Sequence, residues 1–294
     1  VLVRRRQLAP VTNGTKIKNL AEGTAYGQHP ANGIFETNQG YRLQLVHGNS
    51  SVGVLLEHDG GTIYWDCTDD IDPSEIGVLI AGTFVSAAAA LHGIQPVHGS
   101  TVQIAETQLA LVAPSGVGKS TLTLALGLLD GVSVVTDDAF SFRSLIEPGE
   151  AGLVGGSRAI RVAPESAAAL RVDNAKLEYA HRMMSKRLFV PPESSAADKP
   201  GGRPQVAVLA RGDVSKPHRK TLDDRSAFAT LMANRHPEWL RTEPSPAFAR
   251  CVLEVIENKP VWQVTVPDSL DTLDETARWL RAQVAEPQYG GTHG

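Results

Sequence analysis

Hydrophobic positions along the chain fall into short blocks whose spacing changes from region to region. "YRLQLVHG" (41–48), "SVGVLLEHDG" (51–60) and "GTIYWDC" (61–67) are β-type runs broken by Gly, Asn and Asp, the pattern of a small meander. Residues 1–38, rich in Gly, Asn, Thr and Pro with no sustained period, are expected to wrap a surface or to be partly flexible. "DIDPSEIG" (70–77) supplies a helix start. It leads into "GVLIAGTFVSAAAALHGI" (77–94), which carries no formal charge. A membrane span needs about 20 predominantly apolar residues. This stretch is more than half Ala, Gly, Ser and Thr and ends near His92, so a buried helix is expected and no membrane partner.

Farther on, "STVQIAE" (100–106) and "QLALVAP" (108–114) predict paired strands, the second feeding a glycine loop. "KSTLTLALGLLD" (119–130) has helical spacing, "GVSVVTDD" (131–138) reads as a buried strand ending in two acids, and "AFSFRSL" (139–145) as a further strand. Residues 147–157 hold four glycines and a proline, a loop of the kind that covers active sites. "PESAAALRV" (164–172) predicts a short helix and "ESSAADKPGGRP" (193–204) a second loop. "QVAVLARG" (205–212) and "KPVWQVTVP" (259–267) read as strands, "SAFATLMANRHPEWLR" (226–241) and "SLDTLDETARWLRAQV" (269–284) as helices. The expected class is α/β: a β-rich region over 1–75, a larger domain over 76–285 and a tail over 286–294.

Composition narrows the partners. With 294 residues, 42% of them hydrophobic and 20% charged, the chain can bury one large core, or one large and one small. A net charge of −4 argues against a protein built to hold nucleic acid backbone. Cys67 and Cys251 have no metal-type spacing, and two cysteines fit a reducing compartment. "VLVRRRQLAP" (1–10) is basic but not followed by the apolar stretch of a secretory signal, so a cytoplasmic location is expected.

The chemistry concentrates at Ala113-Pro-Ser-Gly116-Val-Gly118-Lys119-Ser120, between a predicted strand and a predicted helix. Such a loop turns successive backbone N–H groups and a helix N-terminus toward a phosphate. Its first position is Ala rather than the usual Gly. Ser115, Gly116, Val117, Gly118, Lys119, Ser120 and Thr121 are therefore the candidate nucleotide-binding residues, with Lys119 on the β- and γ-phosphates and Ser120 on Mg²⁺. Asp137 and Asp138 follow at the end of the next strand. Two acids there allow one to orient the metal and the other to accept a proton from an attacking hydroxyl. Arg158 and Arg161 would close on the transferring phosphoryl, or stand as solvated charges. Lys186 and Arg187 form a second such pair. The guanine-reading Asn-Lys-x-Asp of regulatory GTPases and the Ser-Gly-Gly signature of transporter ATPases are both absent.

"HGSTV" at His98, "APSGVGKST" twenty-one residues on at Lys119, and "VVTDD", in that order, resemble the HPr kinase/phosphorylase group and its kinase-like relatives. The likeness is clear over 78–142 and fainter in the strands at 204–212 and 259–266. It implies an HPr kinase/PEP carboxykinase-like P-loop kinase domain with a mixed sheet. It further implies ATP and Mg²⁺ as cofactors, Asp137 as general base, Lys119 and Ser120 as phosphate and metal groups, His98 beside the γ-phosphate, and a tendency to form homo-oligomers. Asp138 is left to the metal. The Arg-Gly-Leu-Gly stretch of true HPr kinases is replaced by "LVGGSRAIRVAPES" (153–166), which points away from HPr itself. The relatives it resembles better include kinases of serine in ribosomally made peptides. The expected activity is ATP/Mg-dependent phosphorylation of a hydroxyl, a serine of a peptide or protein. A kinase of a small-molecule alcohol and a nucleotide-binding regulatory module without an acceptor are the other readings.

Overall fold

The computed structural model describes residues 1–18, 29–147, 149–180, 186–192 and 204–285. The expected tail, and the loop at 193–204 except Pro204, lie outside the described residues. The chain is α/β, with a strand-rich beginning and a mixed central sheet.

Six strands open it: β1 (Leu2–Arg5), β2 (Thr15–Lys18), β3 (Gly33–Thr37), β4 (Gly40–His47), β5 (Ser50–Glu57) and β6 (Thr62–Cys67), ordered β1-β6-β5-β4-β3-β2. The predicted meander is β4 to β6. No strand is predicted before residue 38, where β1 to β3 extend the sheet on both sides of the meander. β1 pairs parallel with β6 and is exposed at all four residues, so no alternation marks it.

Helix α1 (Pro73–Leu91) follows, capped by Asp72, whose carboxylate accepts from the Ser74 N–H at 2.8 Å. A π-helical turn over Ile80–Phe84 interrupts it. Ile76, Ile80, Phe84, Ala87 and Ala88 pack on Leu43, Leu45, Val54 and Ile63 of the first sheet. Burial is one-sided, covering 33% of its most apolar window, which corrects the expectation of a buried helix. By length and composition α1 is long and apolar enough to cross a membrane.

The second sheet begins with a hairpin, β7 (Val97–Ile104) and β8 (Thr107–Val112), turning at Ala105 and Glu106. Then come α2 (Lys119–Gly127), β9 (Val132–Thr136), β10 (Ala139–Phe142) and β11 (Leu153–Gly155). β12 (Ile160–Val162), α3 (Pro164–Ala169), β13 (Glu178–Tyr179) and β14 (Arg187–Phe189) lead to β15 (Gln205–Gly212) and β16 (His218–Thr221). Last are α4 (Asp224–Ala233), α5 (Pro246–Asn258), β17 (Trp262–Pro267) and α6 (Leu273–Ala285). The strand order is β11-β10-β7-β8-β15-β17-β16, with β9 also on β7; β12, β14 and β13 form a separate small sheet. β8, β15 and β17 run parallel while β7 and β16 run antiparallel to their neighbours.

Strand β8 is central, and its alternation feeds two cores. Leu109 and Leu111 pack with Leu124 and Leu126 of α2 and Leu280 of α6, while Ala110 and Val112 pack with Leu231 of α4 and Phe248 and Val252 of α5. Leu124 is fully buried in the first of these cores. Leu124→Ala is expected to lower stability by about 2–5 kcal/mol, read as a lower urea midpoint at unchanged m-value.

One predicted helix stops well short and another helix was not expected. α4 ends at Ala233, before His236-Pro237, because a proline disfavours helix at the residue preceding it. α5 was not anticipated, although Ser245 caps it through Phe248 N–H and Phe248, Cys251, Val252, Val255 and Ile256 are spaced for one buried face.

Candidate active site

The loop from Ala113 to Gly118 joins the C-terminal end of β8 to the start of α2. Gly118 caps that helix with φ +109°, a left-handed conformation that glycine adopts without strain. Gly116 is left-handed as well, at +88°. Ser115 and Gly116 are exposed. Lys119 is buried, and its Nζ donates to the carbonyls of Ala113 at 2.6 Å and Pro114 at 3.2 Å. Burial pushes the Lys119 amine down to about 8, against the pull of Asp137 and Asp138. Nearby Lys186 lowers it further. Thr121 Oγ1 contacts Ser166 Oγ of α3 at 3.2 Å and so anchors the helix rather than facing the loop.

Asp137 and Asp138 occupy a bend between β9 and β10, two strands that share the same edge of β7. Asp138 takes φ +78°, which Asp tolerates better than most residues. The bend sends the two carboxylates to different partners. Asp137 is buried, and its Oδ1 accepts from Ser100 Oγ at 2.6 Å and Ser120 Oγ at 3.1 Å. Its Oδ2 accepts from the Arg161 backbone N–H at 3.3 Å. Asp138 pairs instead with the Arg161 guanidinium and lies 3.9 Å from His98 Nδ1. Burial alone would raise the Asp138 carboxyl, but Arg161, His236 and His98 bring it below the ordinary carboxylate range.

His98 stacks on His236, ring centroids 5.3 Å apart. His98 Nδ1 and His236 Nε2 are buried and make no hydrogen bond among the described residues. Burial lowers both imidazoles, His236 to about 4. Lys119 lowers His98 further, while Asp138 opposes the shift. An imidazole held below its unfolded value of about 6.5 binds its proton at a lower pH in the fold than in the unfolded chain. Stability is therefore full above pH 6.5 and falls as the pH drops toward 4, by about 1.4 kcal/mol per pH unit for each histidine still neutral in the fold. Urea unfolding from pH 7 to 4.5 is expected to show this loss, and His236→Gln to make it shallower.

The structure brings Lys119, Ser120, Asp137, Asp138, His98 and Arg161 close together. Arg158 is separate: its Nε donates to Val134 O at 3.1 Å and its Nη2 to Pro192 O at 3.0 Å, a role in holding the chain. Arg187 sits on β14 opposite Val162.

Three participants escaped the sequence reading. Ser100 is fully buried and lies two residues from His98 on β7, so strand alternation alone puts both on one face. Arg211, near the end of β15, donates from Nε to Val117 O at 2.9 Å and pairs with Asp268, bracing the loop from outside. Its place at the end of a strand parallel to β8 was a readable signal. His236 had none, since it comes from a turn more than a hundred residues away in sequence.

A cavity of about 250 Å³ opens beside the acids, between α1 and the segments 137–141 and 154–159. No family model and no curated protein compared with the chain gives a match.

Proposed function

We propose that this protein is an ATP- and Mg²⁺-dependent kinase that transfers the γ-phosphate to a hydroxyl, with a serine of a peptide or protein as the acceptor favoured by the family resemblance. The observation that carries the reading is the continuity of the site: Lys119 and Ser120 at the phosphate loop, Asp137 3.1 Å from Ser120 Oγ, then Asp138 with Arg161 and His98. A hairpin feeding the loop and a mixed sheet support the HPr kinase/PEP carboxykinase type over an all-parallel P-loop sheet.

The donor set fits magnesium. Ser120 and Asp137 offer neighbouring hard oxygens. Among the described residues no group of three His, Cys, Asp or Glu side chains could hold a metal, as suits an ion shared with phosphate oxygens. Bound there, Mg²⁺ would offset charge on the phosphates. Lys119 would exchange two neutral carbonyls for anionic oxygens, which favours its charged form.

On this geometry the acids take the reverse of the roles implied by the resemblance. Asp137, engaged by three donors including Ser120, serves the metal side. Asp138, facing His98 and the cavity, orients the acceptor hydroxyl and receives its proton. The acceptor oxygen then bonds to the γ-phosphorus, the bond from that phosphorus to the bridging oxygen breaks, and ADP leaves. A low carboxylate pKa is tolerable here because phosphoryl transfer has a loose transition state, in which positioning outweighs proton abstraction. Arg161 holds Asp138 in place, with His98 beside its other oxygen.

The test is ADP formation by the purified chain with ATP, Mg²⁺ and fractionated peptide or metabolite extracts. ADP release that depends on a particular fraction supports the kinase. Tight ATP binding with no ADP in any fraction counts against it and favours a regulatory nucleotide-binding module. A cytoplasmic location fits a consumer of ATP.

A further inference from the structure

The cavity beside Asp138 is chemically one-sided. Val78, Ala81, Val85 and Ala89 of α1 form one wall, with Ile94 and Phe140 among the facing residues. Two of its serines have partners: Ser86 Oγ donates to Gly82 O at 2.7 Å, and Ser157 Oγ accepts from the Ala159 N–H at 3.2 Å. The remaining polar lining is the acid pair with Arg161, which is paired to Asp138, and Ser141.

The π-helical turn at Ile80–Phe84 joins wall and acids. A Cβ built on Gly82 would lie 2.9 Å from Asp138 Oδ2, so glycine there lets the helix backbone come up against the carboxylate. π-turns inside helices occur frequently at functional sites. The wall therefore runs without a break to the group assigned above to orient the acceptor hydroxyl.

At about 250 Å³ the cavity is smaller than most small-molecule pockets, which span roughly 300–1,000 Å³. It suits one side chain or one ring. A sugar or polyol would bring several hydroxyls against aliphatic groups and leave them without partners.

We infer that the cavity is the acceptor subsite of the kinase proposed above, and that the acceptor hydroxyl is flanked by one compact apolar group. That group is either the neighbouring side chain of a serine peptide or the body of a small apolar alcohol. The inference rests on the kinase reading for the word acceptor, but the binding preference can be read without ATP turnover.

Ligand-observed NMR titration of the full chain would compare 4-fluorobenzyl alcohol, N-acetyl-Ser-Leu-amide, N-acetyl-Ser-Asp-amide and xylitol. At least one of the first two is expected to bind tenfold or more tighter than both of the last two. Preference for the Leu dipeptide assigns a peptide source, preference for the fluorobenzyl alcohol a small molecule. Ala89→Phe, which fills the cavity, is expected to weaken that binding at least tenfold while ADP affinity stays unchanged. Should Ala89→Phe fail to fold, Ala81→Leu at an exposed position of the same wall decides. The inference is overturned if xylitol or the Asp dipeptide binds as well as the apolar probes, if no probe binds, or if the filled variant binds them undiminished. Failure of ADP formation in the extract assay would overturn the kinase while leaving this preference intact.

Discussion

Asp138→Asn is expected to reduce phosphoryl transfer by about 10²–10⁴-fold, the usual contribution of a positioned acid–base group, with Mg·ATP affinity within about threefold of wild type. Asparagine keeps the carboxylate's shape and can still accept a hydrogen bond from Arg161, but it cannot take a proton. The fall should appear in kcat rather than in the KM for ATP, because Asp138 is engaged by Arg161 and His98, whereas Ser120 is engaged by Asp137. Single-turnover transfer and equilibrium nucleotide binding on the same preparation separate the two quantities. Losing both together would show that Asp138 belongs to the nucleotide site.

Asp137→Asn should give the opposite pattern. Asp137 accepts hydrogen bonds from Ser100, Ser120 and the Arg161 backbone while buried, and bonds to a charged group contribute about 1.5–3 kcal/mol each. Losing the charge beside Ser120 is expected to weaken Mg·ATP binding by about 10–100-fold, and to weaken ATP binding without Mg²⁺ much less. Calorimetric titration with and without Mg²⁺ checks it. Intact Mg·ATP binding with abolished transfer would restore the proton-accepting role to Asp137.

Much of this site was legible because its parts follow one another closely in the chain. The Gly118-Lys119-Ser120 loop, the Asp pair and His98 each sit at the end or middle of a short, strongly patterned element, and one hairpin with one helix brings them together. The separation of partners between Asp137 and Asp138 was not legible. It comes from the left-handed backbone at Asp138, which turns adjacent carboxylates apart, and nothing in "TDD" encodes that turn. Ser100 was legible from strand alternation and was passed over. His236 and the contact of Gly82 with Asp138 depend on long-range packing. In the fold, the mixed sheet was readable where apolar runs are continuous, as in β8, and unreadable at β1, where "LVRR" forms an exposed edge. α1 read as buried because apolar content reports tendency and not partner: one face packs on the first sheet, and another lines the cavity beside the acids.

Transfer of a phosphate to a hydroxyl is the activity proposed for this site. The most direct measurement follows the label from γ-labelled ATP when the protein, Mg²⁺ and fractionated peptide and metabolite extracts are mixed, with mass identification of whatever gains it. The expected product is a phosphomonoester on a serine peptide or an apolar alcohol, formed in equal amount with ADP and lost with Asp138→Asn. Label that stays in ATP, or that passes only to inorganic phosphate in every fraction, would contradict it.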